Sequence, residues 1–308
     1  MGKGIGYGKV ILLNEHFVVH GIPSIVSAFD KATTCTVERW SGPGWTLSDD
    51  RPATPGYKDD KRDQQKDSIN RVLKAAGVDT VKNPVKITLA GDLVAASGVG
   101  ASAASCVAMA RALSEEFRMS FSDERINEIA FEGEKGYHGV PSGVDNTAAT
   151  YSGLIWFVKG QPNVIERLKI KHPVEIIIAN TGLVTDTAAA VAGVKERKQK
   201  FPEKYEKIFN EARELVHTAR AAISDFNLTQ MGELMNENHK QLQAIGVSCE
   251  ELDFLVEIAL TNGAYGAKMT GGGLGGNIVA LTPGKDRQDK VAQAIDQAGF
   301  SVLRTRIG

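Results

Sequence analysis

The chain has 308 residues, 42% hydrophobic and 24% charged, with 36 lysines and arginines against 37 acids and a net charge of −1. That length can bury two cores, and the balanced charge argues against a nucleic acid or an anionic membrane as partner. Three scattered cysteines, Cys35, Cys106 and Cys249, form no CxxC pair, which excludes a disulfide framework or cysteine zinc site and fits a reducing, cytoplasmic setting.

The N-terminal MGKGIGYGKVILL lacks the apolar core and cleavage site of a secretory signal. No run of about 18 apolar residues marks a membrane span. GKVILLNEHFVVHG, residues 8–21, reads as a strand, a polar break and a second strand-like segment, and TTCTVERW, residues 33–40, alternates like a strand. Residues 41–62 are rich in proline, glycine and charge and predict a long loop. A helix over 63–77 ends at Gly77, a strand follows over 84–93, and VAASGVGASAASCVAMARALSEEF runs from a small-residue loop into a helix. The next helix opens with Ser122 and Asp123 as N-cap candidates. SGLIWFVKG, residues 152–160, is strand-like. From HPVEIIIANTG onward the pattern is a strand, about four helices between residues 186 and 262, a strand–glycine loop–strand, a helix over 286–299 and a last strand. That order predicts an α+β fold of helices packed on a sheet, with a domain boundary near Lys171.

The strongest local signal is SGVGASAAS, Ser97 to Ser105, between a strand and a helix. Small residues admit a ligand close to the backbone, and the helix start offers unpaired N–H groups and a positive dipole end, which are the requirements for holding phosphate. The stretch also matches G-x-G-x-x-A, but a helix follows where a dinucleotide fold needs a parallel strand ending in an acid. Gly8-Lys9 is not a Walker lysine, because Val10 stands where Ser or Thr is required. With GIGYGK near the start and MTGGGLGG near the end, three glycine-rich elements are available to surround a polyphosphate and a substrate. Phosphoryl transfer needs a metal, charge neutralisation and a base. Ser102 and Glu134 are hard oxygen donors of the kind magnesium takes. HGVPSGVDNTAAT, residues 138–150, holds one carboxylate, Asp145, among small and hydroxyl residues, and Lys9 is a cation that could pair with it. His16, beside Glu15 in the polar break, reads as a substrate contact. Its spacing from His20 is a weaker sign of a metal pair.

These motifs in this order resemble the GHMP kinase superfamily: GYGKVILLNEH is similar to its first motif, SGVGASAAS to its phosphate loop, and KMTGGGLGG to its third. GEKGYHGVPSGVDN resembles the signature of the members that phosphorylate mevalonate. The resemblance implies a two-domain α+β fold. Residues 1–171 would be an ATP-binding domain like domain two of ribosomal protein S5, with a left-handed βαβ, and residues 172–308 a ferredoxin-like domain with added helices. It also implies ATP along Ser97, Gly98, Gly100, Ala101, Ser102 and Ala103, and Mg2+ on Ser102 and Glu134. Asp145 would be the base for the C5 hydroxyl of mevalonate, with Lys9 beside it, and His16, Glu15 and Thr187 would lie on the substrate side, in a direct in-line transfer. Tyr57 in the 41–62 loop is a candidate for the adenine side, and a homodimer is left open. The chain departs from the family pattern at Asn14, where glycine is usual, at Ala95 or Ala96 for a proline, at Ala101 for a serine and at Thr185 for an arginine. Asn tolerates positive φ best of the non-glycine residues, so the first turn is expected to survive. A silent sensor of the same fold would be expected to lack the base, a metal ligand or the lysine. All are present.

Overall fold

A computed structural model describes residues 1–95, 97–184 and 186–308. Residues 1–9 with 28–152 form one compact unit, and residues 10–27 with 153–308 form another.

In the first unit, β1 (Gly2–Leu13) begins with Gly2, Gly4 and Gly6, which the two-residue period of a strand puts on one face. That face lies on α3 (Ala101–Glu116). A Cβ built on Gly2 would come within 2.2 Å of Ala112 O, on Gly4 within 2.0 Å of Ala108 O, and on Gly6 within 2.1 Å of Ala104 O. Two strand residues advance by about 6.7 Å and four helical residues by about 6 Å, so glycines two apart meet helix positions four apart. GIGYGK is therefore a packing surface, not the third phosphate-facing loop its composition suggests.

β2 (Ser24–Arg39) pairs antiparallel with β4 (Val85–Gly91), and β4 pairs parallel with β3 (Trp45–Asp49). The segment 41–62 is thus not one long loop: it holds β3 and a short helix, α1 (Tyr57–Asp60), and leads into α2 (Arg62–Ala75). Proline, glycine and charge around β3 hide a strand whose Trp45 Nε1 donates to Asn70 Oδ1 at 2.9 Å. With α4 (Asp123–His138) and α5 (Val144–Tyr151), these elements enclose a core that includes Val37, Ile69, Val72, Leu89, Val107, Leu113 and Ile129. Ser122 caps α4, its side chain accepting from Arg125 N at 3.3 Å.

In the second unit, the Ser24–Ser27 end of β2 pairs with β5 (Leu154–Val158), which pairs with β6 (Val164–Leu168). An antiparallel set runs in the order β10 (Ser301–Ile307), β7 (Val174–Asn180), β9 (Asn277–Leu281), β8 (Gly266–Thr270). Helices α6 (Thr187–Lys200), α7 (Pro202–Ser224), α8 (Leu228–Ala244), α9 (Glu250–Thr261) and α10 (Lys285–Gln297) complete this unit. α7 starts with proline at its first position, where no N–H is needed. It buries Tyr205, Ile208, Phe209, Ala212, Leu215, Val216 and Ala219 at helical spacing. After the polar break of the first motif the chain is not extended: Val18–His20 form a single 3-10 turn closed by Gly21 at φ 78°. All three cysteines are free, and no helix among the described residues is long and apolar enough to cross a membrane.

Gly4→Ala should destabilise the chain by at least ~1–3 kcal/mol, since the new methyl meets helix backbone rather than a movable side chain. An unchanged denaturation midpoint would show that β1 and α3 separate freely.

Candidate active site

The first unit carries the candidate phosphate loop. Gly98 and Gly100 both have positive φ, 74° and 79°, and Gly100 is the residue from which α3 starts. A Cβ on Gly100 would lie 2.7 Å from Lys9 Cγ, so glycine is what lets the loop close over Lys9. Lys9 N donates to Val99 O at 2.9 Å, and Ser97 Oγ donates to Val94 O at 2.7 Å. Ala101, Ser102 and Ala103 form the first turn of α3, where N–H groups have no partner inside the helix.

Asp145 is the second residue of α5, which starts from Gly143 at φ 87°. The helix start favours its negative charge. Lys9 Nζ lies 3.1 Å from Asp145 Oδ1, with side-chain exposures of 7% and 29%, so the ammonium is enclosed while the carboxylate stays open to a reactant. Glu134, on α4, is buried. Burial and the neighbouring Asp145 charge push its carboxyl up to about 8, against a hydrogen bond with Ser102 and the charge of Lys9. Its Oε1 has no hydrogen-bond partner among the described residues, and His138 Nε2 lies 3.8 Å from Oε2 and 3.4 Å from Ser102 Oγ. A hydroxyl and a carboxyl with a spare buried oxygen, beside a second carboxylate, are hard donors in an environment short of positive charge. They fit a magnesium ion that takes one or two protein ligands and completes its shell with phosphate and water.

Arg51 braces this region from behind. Its Nε and Nη2 donate to the two oxygens of Asp49 at 2.8 and 2.6 Å, and Nη1 donates to Ser105 Oγ and to Ala101 O in the first turn of α3. Burial works against the Asp49 carboxylate, but the Arg51 hydrogen bonds and charge hold it below its ordinary range. Tyr57, in α1, has its hydroxyl pushed up by burial, against the charge of Arg51.

The second unit carries the other candidates. Asn14 and His16 both have positive φ, 72° and 57°, around a buried Glu15 whose Oε1 accepts from Lys268 Nζ. Lys268 also donates to Met269 O at 2.6 Å. Burial pushes the Glu15 carboxyl up and the Lys268 ammonium down, each opposed by the partner's charge. His16 Nε2 is 2.8 Å from Gly272 O. A carbonyl only accepts, so Nε2 carries the proton and the buried Nδ1, with no hydrogen-bond partner among the described residues, keeps its lone pair. Burial holds the His16 pKa below its usual value, against the Gly272 hydrogen bond. Thr187 opens α6, capped by Asp186, which accepts from Ala189 N at 3.0 Å. A Cβ on Gly272 would fall 2.3 Å from Thr187 Oγ1, so the third motif joins His16 and Thr187 through one glycine. His20 instead stacks edge-on against Phe209, ring centroids 5.0 Å apart, and shares no partner with His16. Ala96 and Thr185 lie outside the described residues.

Family models of the GHMP kinases match twice: the N terminal domain over residues 66–154 and the C terminal region over residues 219–301. The chain belongs to the GHMP kinase family. It is 33% identical to the mevalonate kinase of Pyrococcus abyssi over 97% of this chain and 93% of that one. It is 29% identical to the mevalonate kinase of Arabidopsis thaliana over 98% and 96%. The crystal structure of L. major mevalonate kinase in complex with R-mevalonate superposes with a TM-score of 0.94 at 39% identity, covering 100% and 96% of the two chains. This GHMP kinase is an ATP-dependent enzyme with the mixed α+β, two-domain fold of its family.

Three residues beside the candidate positions of the two units had no role assigned from sequence. Lys268 stands between apolar residues in a wholly buried strand, a position where a lysine signals a buried partner. His138 sits inside the motif around Asp145. Arg51 lies in an acidic, proline-containing stretch that offers no local sign of burial.

Glu134 gives the metal-free enzyme a pH signature. Between the ordinary carboxyl range near 4.5 and the folded value near 8, the folded chain holds a proton that the unfolded chain has lost. Stability from this group is therefore fully present at low pH and declines as pH rises through that window. In EDTA, the fall in Tm from pH 5 to pH 8 should be shallower for Glu134→Gln than for the unmodified chain. Parallel curves would assign the buried proton elsewhere.

Proposed function

We propose that this kinase transfers the γ-phosphoryl group of ATP to the C5 hydroxyl of mevalonate. The observation that carries the reading is the Lys9–Asp145 pair, 3.1 Å apart, in the unit that holds the glycine loop and helix start suited to phosphate. The relatives named as mevalonate kinases, and the one solved with R-mevalonate, support the choice of acceptor. The acceptor oxygen would form a bond to the γ-phosphorus as the bond to the β,γ-bridging oxygen breaks. The hydroxyl proton would pass to Asp145, ADP would leave, and no phosphoenzyme would form. Such a transfer asks mainly for positioning and charge stabilisation. Asp145 is the open member of its ion pair and so the one able to take a proton. Lys9 would orient it and offset charge on the acceptor oxygen.

The loop Ser97–Gly98 and the first turn Gly100–Ala103 would hold the phosphates through backbone N–H groups. Ser102 and Glu134 would hold Mg2+, which supplies charge neutralisation for the phosphates. Ionising Glu134 against its raised pKa makes metal binding compete with a proton. On the acceptor side, neutral His16 would accept a hydrogen bond from a hydroxyl at Nδ1, Glu15 would hold the turn through Lys268, and Thr187 would line the same side.

ADP release should depend on mevalonate when phosphomevalonate, galactose and homoserine are offered in parallel. Asp145→Asn should lower kcat by about 10²–10⁴ while ATP affinity stays within a few-fold. Turnover on another alcohol alone would change the acceptor, and near-normal kcat in the variant would remove Asp145 as base. Ser102→Ala should shift the magnesium titration to higher concentration; an unmoved titration would exclude this hydroxyl as a ligand.

A further inference from the structure

Asn14 occupies left-handed backbone at φ 72° and is fully buried, yet each of its polar groups is used. Its N–H donates to Asn238 Oδ1 at 3.0 Å, and its Oδ1 accepts from Asn238 Nδ2 at 2.9 Å. Its own Nδ2 donates to Pro23 O at 2.8 Å and Ala212 O at 3.1 Å, and its carbonyl accepts from Val18 N at 3.1 Å. Backbone groups determine the orientation of both amides. The Asn14 N–H requires an oxygen on Asn238, and the carbonyls of Pro23 and Ala212 require the nitrogen of Asn14. Asn238, on α8, is also fully buried and donates to Gln241 Oε1 at 3.2 Å.

The next residues are Glu15, tied to Lys268, and His16, the second left-handed residue of this turn at φ 57°. Phe17, packed edge-on against Phe209 with centroids 5.0 Å apart, holds the far end. Two strained residues in three persist only when their surroundings over-determine them. At the near end that determination comes from the Asn14–Asn238 pair.

We propose that Asn238 is a positioning residue for the acceptor. With Asn14 it forms a reciprocal amide clamp that holds the left-handed turn and so sets the direction of the His16 ring. The assignment rests on the reading of His16 as an acceptor contact. It implies that side-chain hydrogen bonds here do what glycine would do by conformational freedom, and that the two asparagines act as one unit.

The test uses the full chain and four proteins: unmodified, Asn238→Ala, Asn14→Gly, and both together. KM for mevalonate, KM for ATP, kcat and the denaturation midpoint are measured on each. Asn238→Ala should raise KM for mevalonate by about tenfold, with KM for ATP within about twofold. The double variant should be no worse than Asn238→Ala, because that change already removes both bonds of the pair, whereas Asn14→Gly removes the side-chain one and keeps the backbone N–H that donates to Asn238 Oδ1. Asn14→Gly removes the amide but relieves the backbone strain, so it keeps the test readable if Asn238→Ala does not fold. It should move KM for mevalonate in the same direction. A lowered denaturation midpoint with both KM values unchanged overturns the positioning role, and effects that multiply in the double variant overturn the clamp. If the unmodified chain uses a different alcohol, the proposed acceptor fails and KM for that alcohol is read instead. If it turns over no alcohol, the functional reading and the positioning role fall together, and coupling between the two denaturation midpoints still decides the clamp.

Discussion

The backbone contact between the glycine face of β1 and the alanine-rich face of α3 is the constraint from which the catalytic half of the first unit follows. Without side chains at Gly2, Gly4 and Gly6, the strand lies against the carbonyls of Ala112, Ala108 and Ala104. Neither element can slide or tilt without a clash. Eleven of the sixteen residues of α3 are buried, and the start of that helix is held beside Lys9, where the Lys9–Val99 backbone bond closes the loop. A phosphate loop serves catalysis only if its N–H groups are held still. Here the rigidity comes from close packing behind the loop, with Arg51 as a polar brace on the same helix turn.

Charge is handled differently in two places, and the difference separates chemistry from architecture. Lys9 and Asp145 leave the carboxylate accessible, which suits a group that exchanges a proton with a reactant. Glu15 and Lys268 are wholly enclosed. A pair of that kind adds little net stability relative to apolar packing, but losing one partner strands the other charge. Its effect is to make one arrangement of the first and third motifs much better than any other. Glu134 is intermediate: buried, protonated near neutral pH without a cation, and drawn toward ionisation by one.

The turn at residues 14–16 concentrates strain in two left-handed residues, Asn14 and His16. Each left-handed residue there is matched by a specific partner: Asn238 for Asn14, and Gly272 for His16. Gly272 in turn leaves space for Thr187, so the third motif acts as a bracket for side chains distant in sequence rather than as a second phosphate loop. The composition of GGGLGG alone could not separate these uses. Positive φ at Gly271, Gly273, Leu274, Gly275 and Gly276, and the close approach of Thr187 to Gly272, do so.

What the sequence by itself determined were the features set by local chemistry. The helix and strand periods of the later chain, the Ser122 cap, the glycine loop ahead of α3 and the single carboxylate among small residues were all legible. Each depends on neighbours a few positions away, and the order of the motifs carried the family. What only the tertiary structure decided depends on partners tens to hundreds of residues apart. The strand hidden at Trp45–Asp49 owes its existence to β4. The GIGYGK glycines owe their packing role to α3. Arg51, Lys268 and Asn238 find their partners in Asp49, Glu15 and Asn14. Spacing along a chain does not encode such distances, because pairing, burial and the cost of an unpaired buried charge are settled only when the elements pack.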